Sequence, residues 1–179
     1  DCAAALGAPI DLIGHSFGAT VALRLALERP ELVRSLVLIE PVLFAAAKAA
    51  EDPRFAAFAA REGRFRDLLA EGQAEAATEA FLAVWGSDRP FPDLPPEARA
   101  YMVARIGLVA ALDPVLMGDA AGLLRYLGLE SLGVPVLLVQ GDQSPPIIDA
   151  IQTELARRLP MVSRAVVPGA GHMLPVTHA

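Results

Sequence analysis

Two textures alternate along the chain. Residues 9–14, 34–39, 134–140 and 163–167 are mostly apolar, in runs of strand length bounded by Pro, Gly or charged residues. Continuous apolarity of this kind predicts strands covered on both faces, as in a parallel sheet flanked by helices. Between these runs the apolar positions recur at helical spacing. Residues 17–29 are apolar except at Thr20, Arg24 and Glu28, which fall at i, i+4 and i+8 and form one narrow polar stripe, and at the terminal Arg29. Pro30 then ends the helix. Strand, helix and strand in succession make a βαβ unit, whose crossover is expected to be right-handed. Ile147, Ile151, Leu155 and Leu159 mark the core stripe of a further helix between the last two runs.

Residues 42–132 contain no strand-like run. Alanine is abundant, and prolines at 53, 90, 92, 95, 96 and 114 divide the region into segments, predicting helices over 53–69, 73–85, 96–112 and 114–126. Pro53 and Pro96 stand at helix starts, where a missing N–H costs little. The predicted architecture is α/β: a parallel sheet built from residues 1–44 and 128–179, with an all-helical cap, residues 45–127, inserted between two strands and covering their carboxyl ends.

Candidate chemistry enters where the first run passes through Gly14-His15-Ser16-Phe17-Gly18 directly into a helix. Strand, tight turn and helix without a spacer force Ser16 into a strained backbone conformation, and glycines two before and two after it spare Cβ atoms that would clash. The serine hydroxyl is then exposed at the carboxyl end of a sheet. The backbone N–H of Phe17, in the first turn of the helix, is left to bind a developing oxyanion. A serine hydroxyl needs a base to act as a nucleophile at neutral pH, and histidine is suited to the task. His15 is pinned inside the turn, and His178 lies beyond the last strand. His172 follows the glycine-rich loop Pro168-Gly169-Ala170-Gly171, from which it can reach a neighbouring strand end. A carboxylate must then orient the imidazole, and Glu40 and Asp142 both end predicted strands.

Gly14-His15-Ser16-Phe17-Gly18, Leu38-Ile39-Glu40-Pro41 and Pro168-Gly169-Ala170-Gly171-His172 resemble the α/β-hydrolase superfamily. The resemblance covers nearly the whole chain but only the second half of that fold, which places several strands before the serine. It implies a chain order of serine, acid, histidine, and a helical cap that shapes the substrate pocket. In most of that superfamily the acid lies three residues after a glycine that ends the next-to-last strand; counted from Gly141, this position is Ser144. Asp142 is in the right loop but two places early. Glu40 ends the strand after the elbow, the acid position of a minority that includes some haloalkane dehalogenases. Glu40 is favoured, because a carboxylate followed by proline at a buried strand end has little structural reason to exist.

Serine at the elbow implies acyl transfer to water through an acyl-enzyme, with small ester-like carbonyl compounds as first substrates, and argues against the aspartate-nucleophile branches. The alternative is a non-catalytic or slowly turning over ligand sensor on the same fold. The resemblance also implies that the chain is part of a longer protein, with an unpaired strand edge, a second oxyanion donor outside it and little activity of its own. Phe55, Phe58, Phe65, Phe81, Trp85, Tyr101 and Met102 are available to line an acyl pocket, although their helical spacing assigns most of them to the cap's own core.

Composition narrows the partners. Among 179 residues with a net charge of −6, no cluster of Lys and Arg offers itself to nucleic acid or an anionic membrane. No apolar stretch approaches the roughly 20 residues that span a bilayer. Cys2 is the only cysteine, which excludes an intrachain disulfide and fits a reducing, cytoplasmic compartment. No His or Asp pair has metal-ligand spacing. The expected partner is a small-molecule substrate, with neither cofactor nor metal.

Overall fold

The computed structural model describes residues 2–86, 89–125 and 127–178. The predicted cap span includes residues 87, 88 and 126, the last of which also ends a predicted helix; these lie outside the described residues, as do residues 1 and 179. Four strands, β1 (Ile10–His15), β2 (Val33–Ile39), β3 (Val136–Gly141) and β4 (Val162–Val167), form one sheet in chain order. Every neighbouring pair is parallel.

The helices follow the predicted alternation. After the single turn α1 (Cys2–Ala5), α2 (Phe17–Glu28) links β1 to β2. Between β2 and β3 come α3 (Phe44–Ala49), α4 (Arg54–Ala70), α5 (Ala74–Trp85), α6 (Pro96–Val103), α7 (Gly107–Ala110) and α8 (Asp113–Leu116). Then α9 (Pro146–Arg158) links β3 to β4, and α10 (Leu174–Thr177) follows.

One sheet face carries the core. Leu36 pairs with Val136 and Leu38 with Leu138, all four at most 4 % exposed, in a cluster shared with Leu23 and Ala26 of α2 and Ile148 and Ile151 of α9. The other face departs from the expectation of cover on both sides. Val37, Leu137 and Val139 are only half-buried and stand outside that cluster, and Ile13 is 66 % exposed. An apolar run shows that both faces are fit for burial, and the described residues pack helices on one.

Thr20 also departs from its predicted place on a polar stripe. It is buried, with its hydroxyl unpaired, near the point where α2 leaves β1, so position outweighs polarity there. The surface stripe is reduced to Arg24 and Glu28, paired at 2.7 Å.

Between β2 and β3, α3 packs on α9 through Ala45, Ala46 and Ala47, whose small side chains permit close approach. Arg54 at the start of α4 binds Asp149 of α9 at 2.6 Å and so ties the helical segment to the core. Phe65, Ala77 and Ile106 form a second, smaller core. The two later helices are shorter than predicted. The span 96–112 divides at Ala104 to Ile106, where the amides of Arg105 and Ile106 bond three residues back, and Gly107 lowers the propensity to continue. Among the described residues the span 114–126 keeps only α8. A Cβ on Gly118 would lie 2.9 Å from the Pro114 carbonyl oxygen. Asp119, at φ 50°, then accepts the amides of Leu123 (2.8 Å) and Leu124 (2.9 Å) on its carboxylate, a local alternative to helical bonding.

Candidate active site

β1 ends at His15 and α2 begins at Phe17, so Ser16 alone makes the turn, at φ 56° and ψ −123°. Such a conformation costs about 1–3 kcal/mol in a residue with a Cβ. The surrounding backbone holds it: the Ser16 N–H donates to Ile39 O at 2.9 Å, and the Ser16 carbonyl accepts from Ala19 and Thr20 at 3.1 and 3.3 Å. Gly14 is required by close approach, since a Cβ there would sit 2.5 Å from the Gly18 carbonyl oxygen. Gly18 differs from the expectation, because a Cβ there would meet nothing within 4 Å. Its own carbonyl is the atom that crowds Gly14; its missing side chain relieves no clash. Phe17 is the first residue of α2, and its N–H has no acceptor within the helix.

His172 is delivered by the loop after β4. That loop is bound to the end of β3: a Cβ on Gly141 would lie 2.0 Å from the Ala170 carbonyl oxygen, and the Gly169 N–H donates to Asp142 Oδ1 at 2.7 Å. From the elbow side, His15 Nε2 donates to the His172 carbonyl at 2.8 Å, which fixes the proton of His15 on Nε2 because the carbonyl only accepts. Burial is the main influence lowering the His15 pKa. Trp85 meets the His172 ring edge to face at 4.8 Å.

Glu40 follows β2 at φ 47° and is fully buried. Its Oε2 accepts the His172 Nδ1 proton at 2.6 Å, while Oε1 accepts the Gly141 N–H at 2.8 Å and the Ser144 hydroxyl. Burial opposes charge on this carboxyl. The bonds from His172, Gly141 and Ser144 outweigh it and hold the pKa below the usual value. With Nδ1–H given to Glu40, His172 Nε2 accepts the Ser16 hydroxyl at 3.0 Å.

Thus Ser16, His172 and Glu40 meet in one hydrogen-bonded chain, with Phe17 N–H beside it. Asp142 does not join them and instead anchors the Gly169 backbone. His178 is exposed and bonded to Thr177 at 2.8 Å. Sequence reasoning missed Ser144 as a donor to Glu40, although its spacing from Gly141 had singled out the position. It also missed the bond from His15 and the place of Glu62.

A cavity of about 160 Å3 opens on Ser16, Phe17 and His172, walled by Val42 and Phe44 and, from the helical segment, by Glu62, Phe81, Trp85, Val109, Leu112 and Leu116. The helices therefore face the carboxyl ends of the strands. Of the seven candidate pocket residues, Phe81 and Trp85 line this cavity; Phe58 and Phe65 are buried in the cores, and Tyr101 is exposed under the Arg105 guanidinium, 3.7 Å from its ring centre. A larger cleft of about 760 Å3 beside α4 and α5 reaches neither Ser16 nor His172. Among the described residues no three His, Cys, Asp or Glu side chains converge as metal ligands, and no helix is long and apolar enough to cross a membrane.

The sequence profile of the alpha/beta hydrolase family matches residues 1–179. The chain is 31 % identical over 173 residues to lipase LipV of Mycobacterium tuberculosis, covering 93 % of this chain and 63 % of that protein. It is 34 % identical over 185 residues to the pimeloyl-(acyl-carrier protein) methyl ester esterase of Neisseria meningitidis serogroup B, covering 99 % and 67 %. It therefore spans about two thirds of the length of these two relatives. The crystal structure of carboxylesterase CesB from Bacillus subtilis shares the fold, with a TM-score of 0.58 at 18 % identity, over 98 % of this chain and 58 % of that one. On the profile match over its whole length and the parallel sheet with its serine elbow, the chain belongs to the alpha/beta hydrolase family.

Proposed function

We propose that the complete protein is a serine hydrolase that cleaves a small ester-like carbonyl substrate through an acyl-enzyme. The observation that carries this reading is the unbroken chain of hydrogen bonds from Glu40 through His172 to Ser16. The names of the lipase and esterase relatives support it. In this reading Ser16 Oγ attacks the carbonyl carbon as its proton passes to His172 Nε2, and the carbonyl electron pair moves to oxygen, beside the Phe17 N–H. Glu40 holds the imidazole in the tautomer that leaves Nε2 open and stabilises the imidazolium that forms. Collapse of the tetrahedral intermediate breaks the ester C–O bond while His172 returns the proton to the leaving alkoxide. Water repeats the sequence and releases the acid. A single oxyanion donor contributes roughly 2.7–4 kcal/mol to such a transition state. Residues 45–127 act as the cap, and the partner is a small molecule, with no nucleic acid or membrane surface required.

The test is covalent labelling of the complete protein with a fluorophosphonate. Wild type is expected to be labelled at Ser16, and Ser16→Ala is expected to be unlabelled with little change in melting temperature. Label retained at another serine rejects the assignment.

A further inference from the structure

Among the described residues Glu62 is the one carboxylate in the wall of the catalytic cavity, and the mechanism above gives it nothing to do. It lies on α4 four residues after Phe58 and three before Phe65, both buried, so it occupies the stripe of the helix that faces inward. Among the described residues no hydrogen bond or ion pair holds it. Glu62 is half-buried and neither nearby cation is bound to it: Arg66 is bound to Asp113 at 2.5 Å, and Arg61 is exposed. The same cavity is lined by Phe44, Phe81, Trp85 and aliphatic side chains, together with Ser16 and His172. Placing a carboxylate among such groups without a partner is costly. Burial first, and then the charge of Asp113, push its pKa up against the opposing pull of Arg66 and Arg61. The missing partner is therefore a ligand group that favours the charged carboxylate.

We propose that Glu62, with Trp85 and Phe81 beside it, makes this wall a cation subsite, so that the substrate is a small ester whose non-reacting end carries a positively charged nitrogen. This proposal rests on the reading of Ser16 as the nucleophile. A cation gains twice at such a wall. It pairs with a carboxylate whose charge burial has left poorly compensated, and it enters a wall of aromatic rings, which attract a desolvated cation. The cavity, at about 160 Å3, is well below the roughly 300–1,000 Å3 of clefts for drug-sized ligands. The subsite therefore fits a compact ammonium group and not a long charged chain.

Three fluorophosphonates that differ only in the tail, ending in trimethylammonium, in tert-butyl or in carboxylate, test this on the complete protein. The first two match in volume, so their ratio reads charge alone. In each reaction the Ser16 Oγ–P bond forms, the P–F bond breaks, fluoride leaves and the hydroxyl proton passes to His172. The second-order labelling rate is expected to be about tenfold or more faster for the ammonium than for the tert-butyl probe. Glu62→Gln, which keeps the side-chain volume, is expected to bring that ratio to within about twofold, while Glu62→Asp, which keeps the charge, retains a preference. Equal wild-type rates, faster labelling by the carboxylate probe, or an ammonium preference that survives Glu62→Gln would each overturn the subsite and leave the serine assignment standing. Failure of all three probes to label would overturn both.

Discussion

The strand ends and the helices between β2 and β3 border the same cavity but hold their side chains in different ways. At the strand ends the backbone sets position. Ser16 N–H is bonded to Ile39 O, Glu40 N–H to Val139 O and Gly141 N–H to Glu40 itself, at 2.8–2.9 Å, and Gly14 and Gly141 admit neighbouring chain where no Cβ fits. The opposite wall is held by side-chain packing. Phe44 and Phe58 meet with ring centres 4.2 Å apart, and Trp85 lies against both at 5.9 and 6.4 Å. Backbone bonds fix a geometry that a change of side chain nearby does not move. Packed rings fix a shape that changes with every substitution. Under the proposed function, the difference assigns the reaction to the strand ends and selectivity to the helical wall, and each half of that division can be broken separately.

The largest effect is expected at the strand ends. Glu40→Gln keeps size and removes charge, so His172 loses both its orienting acceptor and the partner of its protonated form. A rate loss of roughly 10^4, with KM little changed, is expected by analogy with loss of the acid in a serine triad. Asp142→Asn, whose carboxylate binds the Gly169 N–H, is expected to lower kcat by less than about tenfold, a cost of under ~1.4 kcal/mol. Steady-state kinetics on p-nitrophenyl acetate compares the two, and a larger loss from Asp142→Asn would return the acid to its usual loop.

An intermediate effect is expected at the wall. Phe81 lines the cavity and stacks on Phe65 with ring centres 6.0 Å apart. Phe81→Ala is expected to raise the ratio of kcat/KM for p-nitrophenyl hexanoate over acetate by about 10- to 100-fold, the scale on which a hydrophobic pocket discriminates by size. A ratio that stays constant while kcat collapses would place Phe81 with the chemistry and erase the division.

The same division governs what was legible in the sequence. All four strands lie within two residues of the apolar runs, because a buried parallel strand announces itself over a few consecutive positions. Ser16, His172 and Glu40 could be picked out because each lies at or just after a strand end, close to a glycine or proline that interrupts regular backbone: Gly14, Gly171 or Pro41. The wall was less legible. Its helices divide at residues 104–106 and at Gly118 for reasons of local bonding that an apolar period does not register. Glu62 looks like any surface glutamate until its place between Phe58 and Phe65 is set against a cavity made by other elements. Ser144 was passed over for a related reason. Read as a failed acid it is empty, whereas in three dimensions it sits where a donor to a displaced acid belongs.

The smallest predicted effect tests whether that donor matters. Ser144→Ala leaves Glu40 with the bonds from His172 and Gly141 and removes the hydroxyl. A hydrogen bond to a charged group contributes about 1.5–3 kcal/mol, and the two remaining donors argue for the lower end. Because the folded-state pKa of Glu40 is depressed below 4.5, its contribution to stability is present above that value and is lost as pH falls through the folded value. Removing one donor moves the folded pKa back toward the ordinary one. The variant is therefore expected to be less stable than wild type at neutral pH, and the gap to narrow once the solution is more acidic than pH 4.5 and Glu40 takes up a proton in both proteins. Urea unfolding at about pH 7 and at successively lower pH, down to the lowest at which wild type stays folded, follows the gap. A gap that does not depend on pH would mean that the hydroxyl acts through packing alone, and that Glu40 is held by Gly141 and His172 without it.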